Sequence, residues 1–186
     1  MKEHILPAIR LTLICLIFFS GIYTIAIWGI VQFAPNHGKG EIVTYKGKTF
    51  YTNVAQNFSN DKYFYSRPSA AGYNATASTG SNKGPSNPDY LKDVKAKIDT
   101  FMVHNPDVKK SEIPSDLVTY SGSGLDPHIS VQAALVQVKR IAKIRNLKED
   151  NLQKLIAQNT EKPLLGLFGT ERINVLKLNI DLDNLK

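Results

Sequence analysis

The chain has 186 residues, 23 of them lysine or arginine and 16 aspartate or glutamate, for a net charge of +7. Its one cysteine, Cys15, excludes an intramolecular disulfide and a cysteine-based metal cluster, so the fold has to rest on a buried core. The basic residues are scattered and lack the interleaved aromatics that stack on bases, which points to a solvated lysine-rich surface and away from nucleic-acid binding.

Residues 11–34 carry no charge. At about 1.5 Å per residue such a helix runs about 36 Å, slightly beyond the roughly 30 Å hydrocarbon layer of a bilayer. A cleaved signal peptide has a shorter apolar core and a small-residue cleavage pattern, which is missing here. A core helix is rarely apolar around its whole circumference. The expected organisation is a short cytoplasmic tail (1–10), one transmembrane helix (11–34) and one soluble extracytoplasmic domain (35–186). Lys2 and Arg10 lie before the span and Lys39, Lys46 and Lys48 after it, so orientation rests on the usual layout of such chains more than on charge.

Ile42–Tyr51 is rich in β-branched and aromatic residues with a turn or bulge expected at Gly47, and Lys62–Ser66 reads as a short strand or an aromatic-packed corner. Residues 66–88 are built from Ser, Thr, Asn, Gly, Ala and Pro with only Arg67 and Lys83 charged. A loop of this length in a compact domain is either disordered or functional, and Tyr73 with the flanking aromatic and Pro segments can pin it, which favours an ordered functional loop. Leu91, Val94, Ile98, Phe101 and Met102 predict a helix over 89–105, ended by Pro106. Leu117–Tyr120 reads as a short strand and Ser121–Gly124 as a second Gly/Ser loop. The next helix is expected to start at Asp126-Pro127 or Ser130 and to bury Val131, Ala134, Leu135, Val138, Ile141 and Ala142. Another follows over 148–159. Leu176, Leu178, Ile180 and Leu182 alternate with polar residues, which predicts a half-buried strand. Helices and short strands mix without βαβ repetition, so the expected class is α+β.

Neither Gly/Ser loop has the Walker spacing, and Gly122-x-Gly124 is followed by Pro127 where a dinucleotide fingerprint needs glycine. His128 beside Ser121, Ser123 or Asp126 would allow acid–base chemistry, so an anchored hydrolase is the outlying alternative. His4, His37 and His104 fall in unrelated segments, and no metal site is expected. Asp181 and Asp183 share one face of the expected strand. No catalytic centre is expected in this chain.

Three blocks carry a specific resemblance: Ser66-Arg67-Pro68-Ser69-Ala70; Ser78-Thr79-Gly80-Ser81-Asn82-Lys83-Gly84-Pro85-Ser86-Asn87; and Ser121-Gly122-Ser123-Gly124-Leu125-Asp126-Pro127-His128-Ile129-Ser130. With Gln137-x-x-Arg140-Ile141-Ala142, Gly166-Leu167-Phe168-Gly169 and Arg172-Ile173-Asn174-Val175-Leu176, they resemble the C subunit of the bacterial Kdp potassium-transporting P-type ATPase from the anchor to the C-terminus. Thr79, Lys83 and Thr170-Glu171 depart from the usual pattern. The resemblance implies a single-pass inner-membrane protein in contact with lipid. Its implied partners are a channel-like potassium-translocating subunit, a P-type ATPase subunit and a small fourth subunit. The implied role is assembly and stability of an ATP-driven potassium-uptake complex. Alternatively it implies a catalytic chaperone that raises the ATP affinity of the ATPase subunit, with Gln137 the nucleotide-associated residue. No cofactor is expected on this chain itself, ATP being reached through the ATPase subunit. An exported domain cannot meet cytoplasmic ATP, which favours a mechanical role. The expected docking loops are 66–88 and 121–130, with Arg67, Pro68, Ser69, Ser81, Asn82, Gly84, Ser123, Gly124, Asp126 and His128 as the residues concerned.

Overall fold

The computed structural model describes residues 2–185. The chain divides into two units, 1–42 and 43–186.

The first unit is dominated by one helix. It consists of α1 (Lys2–Leu16), a wider π-helical stretch (Ile17–Tyr23) and α2 (Thr24–Val31). Thr24 Oγ1 donates to the Phe19 carbonyl five residues back at 3.0 Å, which marks the wide turn. Glu3–Val31 is long and apolar enough to cross a membrane, and its large apolar side chains, such as Ile25 and Trp28, are exposed all along it. The helix thus begins before the uncharged stretch, carries Arg10 within it, and ends at Val31 ahead of turns at 32–38.

The second unit is α+β. The hairpin β1 (Ile42–Tyr45) and β2 (Lys48–Tyr51) turns at Lys46-Gly47, both with positive φ, as the sequence predicts. A three-stranded antiparallel sheet follows, with β5 (Arg172–Asn174) between β3 (His128–Ile129) and β4 (Thr160–Glu161). On β5 pack α4 (Val131–Leu135) and α7 (Val175–Asn184); α6 (Glu149–Gln158) packs on both and on α5 (Val138–Arg145), and α3 (Pro88–His104) joins the core through Phe101, whose ring meets Tyr65. Phe64, Ile141, Leu152, Ile156, Ile173, Leu178 and Leu182 lie fully buried at the centre.

Five expectations are corrected, the smallest being Leu135, which is exposed and not part of the buried stripe. Residues 176–183 form helix α7, not a strand. The side chain of Asn174 caps it by accepting from the Lys177 amide at 3.1 Å, and Val175, Leu178, Asn179 and Leu182 form its buried stripe. Asp181 and Asp183 therefore diverge: the first accepts from Asn159, the second from Arg145. Leu117–Tyr120 is no strand but follows a 3-10 turn over Ser115–Leu117, where the Thr119 hydroxyl donates to the Ser115 carbonyl. Asp126-Pro127 does not start a helix. His128–Ile129 pair with β5 instead, and the helix starts after Ser130, whose hydroxyl accepts from the Ala133 amide at 3.1 Å. That helix is also broken, at Val136-Gln137, into α4 and α5.

Lys62–Ser66 takes the corner form. Asn179 accepts from the Phe64 amide and donates to the Phe64 carbonyl, both at 2.9 Å, as a neighbouring strand would. Gln137 accepts from the Tyr65 amide at 2.9 Å. Two buried carboxamides thus satisfy a backbone segment that has no sheet partner.

Candidate functional site

The two Gly/Ser loops form one interlocked structure. Pro68 accepts through its carbonyl from the Ser121 amide at 3.2 Å, and Thr79 donates its amide to the Ser123 carbonyl at 3.0 Å. Ser78 Oγ donates to the same Ser123 carbonyl at 2.9 Å, and Ser69 Oγ donates to the Gly124 carbonyl at 2.5 Å. Tyr73 supports the first loop: its hydroxyl donates to the Arg67 carbonyl and its amide to Ser69 Oγ. Burial raises the Tyr73 phenol above its ordinary range.

Glycine is required where these strands of loop touch. A Cβ on Gly80 would stand 2.8 Å from the Gly122 carbonyl oxygen. Gly124 has φ +68, and a Cβ there would meet the Thr79 carbonyl oxygen at 2.7 Å and the Ala71 side chain at 2.8 Å. The Gly/Ser texture is therefore a requirement of close backbone approach, as well as of turn geometry.

Arg67 Nη1 bonds Asp126 Oδ2 at 2.8 Å and ties the start of the first loop to the end of the second. Asp126 Oδ1 accepts from the His128 amide at 3.0 Å and lies 3.2 Å from His128 Nδ1. Burial opposes ionisation of Asp126, but the bonds from His128 and the Arg67 guanidinium outweigh it and hold the carboxyl at about 2. His128 Nε2 points to Glu161 at 3.8 Å, and Glu161 also bonds Arg172. Asp116 secures the far side by accepting from the Ser130 amide at 2.7 Å. Asp116 escaped the sequence reading because an isolated Pro-Ser-Asp carries no pattern that points to a residue 14 positions on.

Arg67, Pro68, Ser69, Ser123, Gly124, Asp126 and His128 thus come together, and their polar atoms are largely spent on one another. Ser81 is half-buried, while Asn82 and Gly84 are exposed farther along the first loop. His128 contacts carboxylates, and neither Ser121 nor Ser123 stands among its hydrogen-bond partners: Ser121 is buried and Ser123 Oγ accepts from the Leu125 amide. Among the described residues no group of three His, Cys, Asp or Glu side chains could hold a metal ion.

Gln137 lies apart from this site, fully buried. Its oxygen accepts from the Tyr65 amide and from Arg140 Nη2 at 2.6 Å, and its nitrogen donates to the Ala133 carbonyl at 2.8 Å. Arg140 also donates to Asn105 Oδ1 and to the backbone carbonyls of Asp61 and Tyr63, and stacks on the Tyr65 ring. Tyr65 closes the cluster by donating to Asp61. Burial first, and that bond second, push the phenol up to about 12.

A family model described as "KdpC: K+-transporting ATPase, c chain" matches residues 5–184. The chain is 50% identical over 188 residues to a Bacteroides fragilis protein named potassium-transporting ATPase KdpC subunit, covering 99% of this chain and 98% of that one. Proteins of the same name from Flavobacterium psychrophilum and Caldanaerobacter subterraneus are 49% and 44% identical. The alignments cover 99% and 98% of this chain, and 100% and 95% of those relatives.

Proposed function

The chain belongs to the family of K+-transporting ATPase c chains, and on that premise we propose that it is a non-catalytic subunit that holds a potassium-uptake complex together. The helix ending at Val31 crosses the bilayer with the N-terminus in the cytoplasm, and the second unit sits outside. There the interlocked loops dock on the outer face of the channel-like subunit, and the helix packs against the other subunits within the membrane.

The observation that carries this reading is the locking of the two loops. A surface whose internal hydrogen bonds are made apart from Arg67 Nε, and which offers small residues around Ser81, Asn82 and Gly84 with Lys83 the one charge among them, can be covered by another protein with little ordering cost. The hydrolase reading gains no support, because neither serine pairs with His128: Ser121 is buried and Ser123 Oγ accepts from the Leu125 amide. Gln137, the residue that the resemblance associates with nucleotide, has its carboxamide engaged on both atoms inside the core. Its burial supports a folding role.

Gly84 has open space where a Cβ would be placed. Gly84→Trp is expected to leave the circular dichroism and melting of the free chain unchanged. Recovery of the other subunits with the tagged chain from mild detergent is expected to fall at least about tenfold, since a well-packed interface loses roughly 1.4 kcal/mol or more to an obstructing indole. Lys154→Trp, on the exposed face of α6, serves as the control. Undiminished recovery with Gly84→Trp would remove the loops from the interface.

A further inference from the structure

The connection between β4 and β5 ends in an apolar tip that the loop interface does not use. Residues 163–169 are Pro-Leu-Leu-Gly-Leu-Phe-Gly, without a single polar side chain. Leu164, Leu165, Leu167 and Phe168 are 70%, 80%, 80% and 65% exposed, the most exposed large apolar side chains of the second unit apart from Val103. The tip is closed on itself. Leu164 and Phe168 exchange both backbone bonds, at 3.1 and 3.0 Å, and the amides of Gly166 and Leu167 bond the carbonyls of Pro163 and Leu164. Leu165 and Gly166 have positive φ, so the backbone is spent on holding four large side chains outward.

A chain does not usually leave four neighbouring apolar groups in water without a covering partner. Two features favour a bilayer surface as the cover. Four amides of the tip are already satisfied, so it can enter a poorly hydrated layer without orphaning those donors. The second unit is also tethered to a membrane-length helix: residues 32–42 span at most about 40 Å even fully extended. A globule of this size has a radius of gyration of about 15 Å. Every part of its surface can therefore be turned to the bilayer. At the base of the tip Lys162 stands exposed, while Arg172 is paired with Glu161 and Glu171 lies beside it, so attachment rests on the apolar side chains and not on a basic girdle.

We propose that the Leu164–Phe168 tip inserts into the lipid interface and gives the second unit a second point of attachment to the membrane. The inference rests on the reading that the N-terminal helix spans the bilayer. It is tested on the free full-length chain in phosphatidylcholine vesicles, carrying Trp28→Phe so that a single indole reports. The chain is first floated with the vesicles, which reads the helix. The Leu165→Trp indole is then expected to be quenched about twofold by lipids brominated high on the acyl chain and to be shielded from iodide. Leu167→Trp is expected to give the same result, and Lys154→Trp on α6 to remain accessible and unquenched. An indole at 165 or 167 that stays open to iodide and unquenched in floating vesicles would overturn the proposal while leaving the helix reading intact. Shielding that appears only after the other subunits are added would likewise overturn it, by assigning the tip to a protein contact. A chain that failed to float would overturn both.

Discussion

Asp126 binds a guanidinium with one oxygen and the following histidine with the other, and these contacts lock the loops at one end. Its folded value of about 2 lies below the ordinary 3.8, so its contribution to stability is full above about pH 4 and is lost as the pH falls toward 2. Asp126→Asn is expected to lower the stability of the chain by about 1–2 kcal/mol at pH 7, a figure already reduced for partial exposure. The gap between variant and parent should close between pH 4 and pH 2. Urea titrations at pH 7, 4 and 2.5 read both the size and the pH course. A gap that stays constant would mean that the carboxylate charge plays no part.

At the level of elements, the most informative is α7. In Val175–Asn184 the apolar residues recur at every second position over 176–182, but also at the helical spacing of 175, 178, 182. Both patterns are present, and the local sequence does not choose between them; the cap at Asn174 and the need to bury Asn179 beside Phe64 do. The two readings differ in what they place inside. A strand buries Ile180 and exposes Asn179; the helix buries Asn179 and leaves Ile180 half-covered. Asn179→Ala strips both backbone groups of Phe64 of their partners and is expected to cost about 2–4 kcal/mol, against about 1–2 for Ile180→Ala, by denaturant midpoint. The reverse order would restore the strand. By contrast α3 and α6 were legible from the sequence, because their apolar spacing fits one period only and both begin with acidic residues in the first turn. The candidate loops were legible as loops, from their Gly/Ser texture. Their mutual locking was not, because it runs through backbone contacts and through Asp126, whose partner Arg67 lies 59 positions away. The break at Gln137 was hidden too, since it serves a carboxamide that reaches to Tyr65 across 72 positions.

Among the described residues, every buried core residue lies between Thr52 and Leu182, within the second unit. A polypeptide beginning at Glu41 is therefore expected to unfold cooperatively in urea, with a stability within about 0.5 kcal/mol of the same unit in the full chain. Loss of cooperativity would show that the helix contributes to the core. One carboxylate ties this unit together from end to end. Asp183 accepts from Tyr45, Lys46, Tyr63 and Arg145, which hold it ionised well below the usual carboxylate range even though burial opposes this. The middle strand β5 likewise comes from residues 172–174, and the helix that fills the core beneath it from 175–184. A chain emerging from the ribosome consequently has nothing to place at the centre of its sheet until residues 172–174 have been made. The apolar helix near Val31 is synthesised long before. Until residues 172–174 are present β3 and β4 have no strand between them, so the second unit is expected to close in one step that requires residues 172–184.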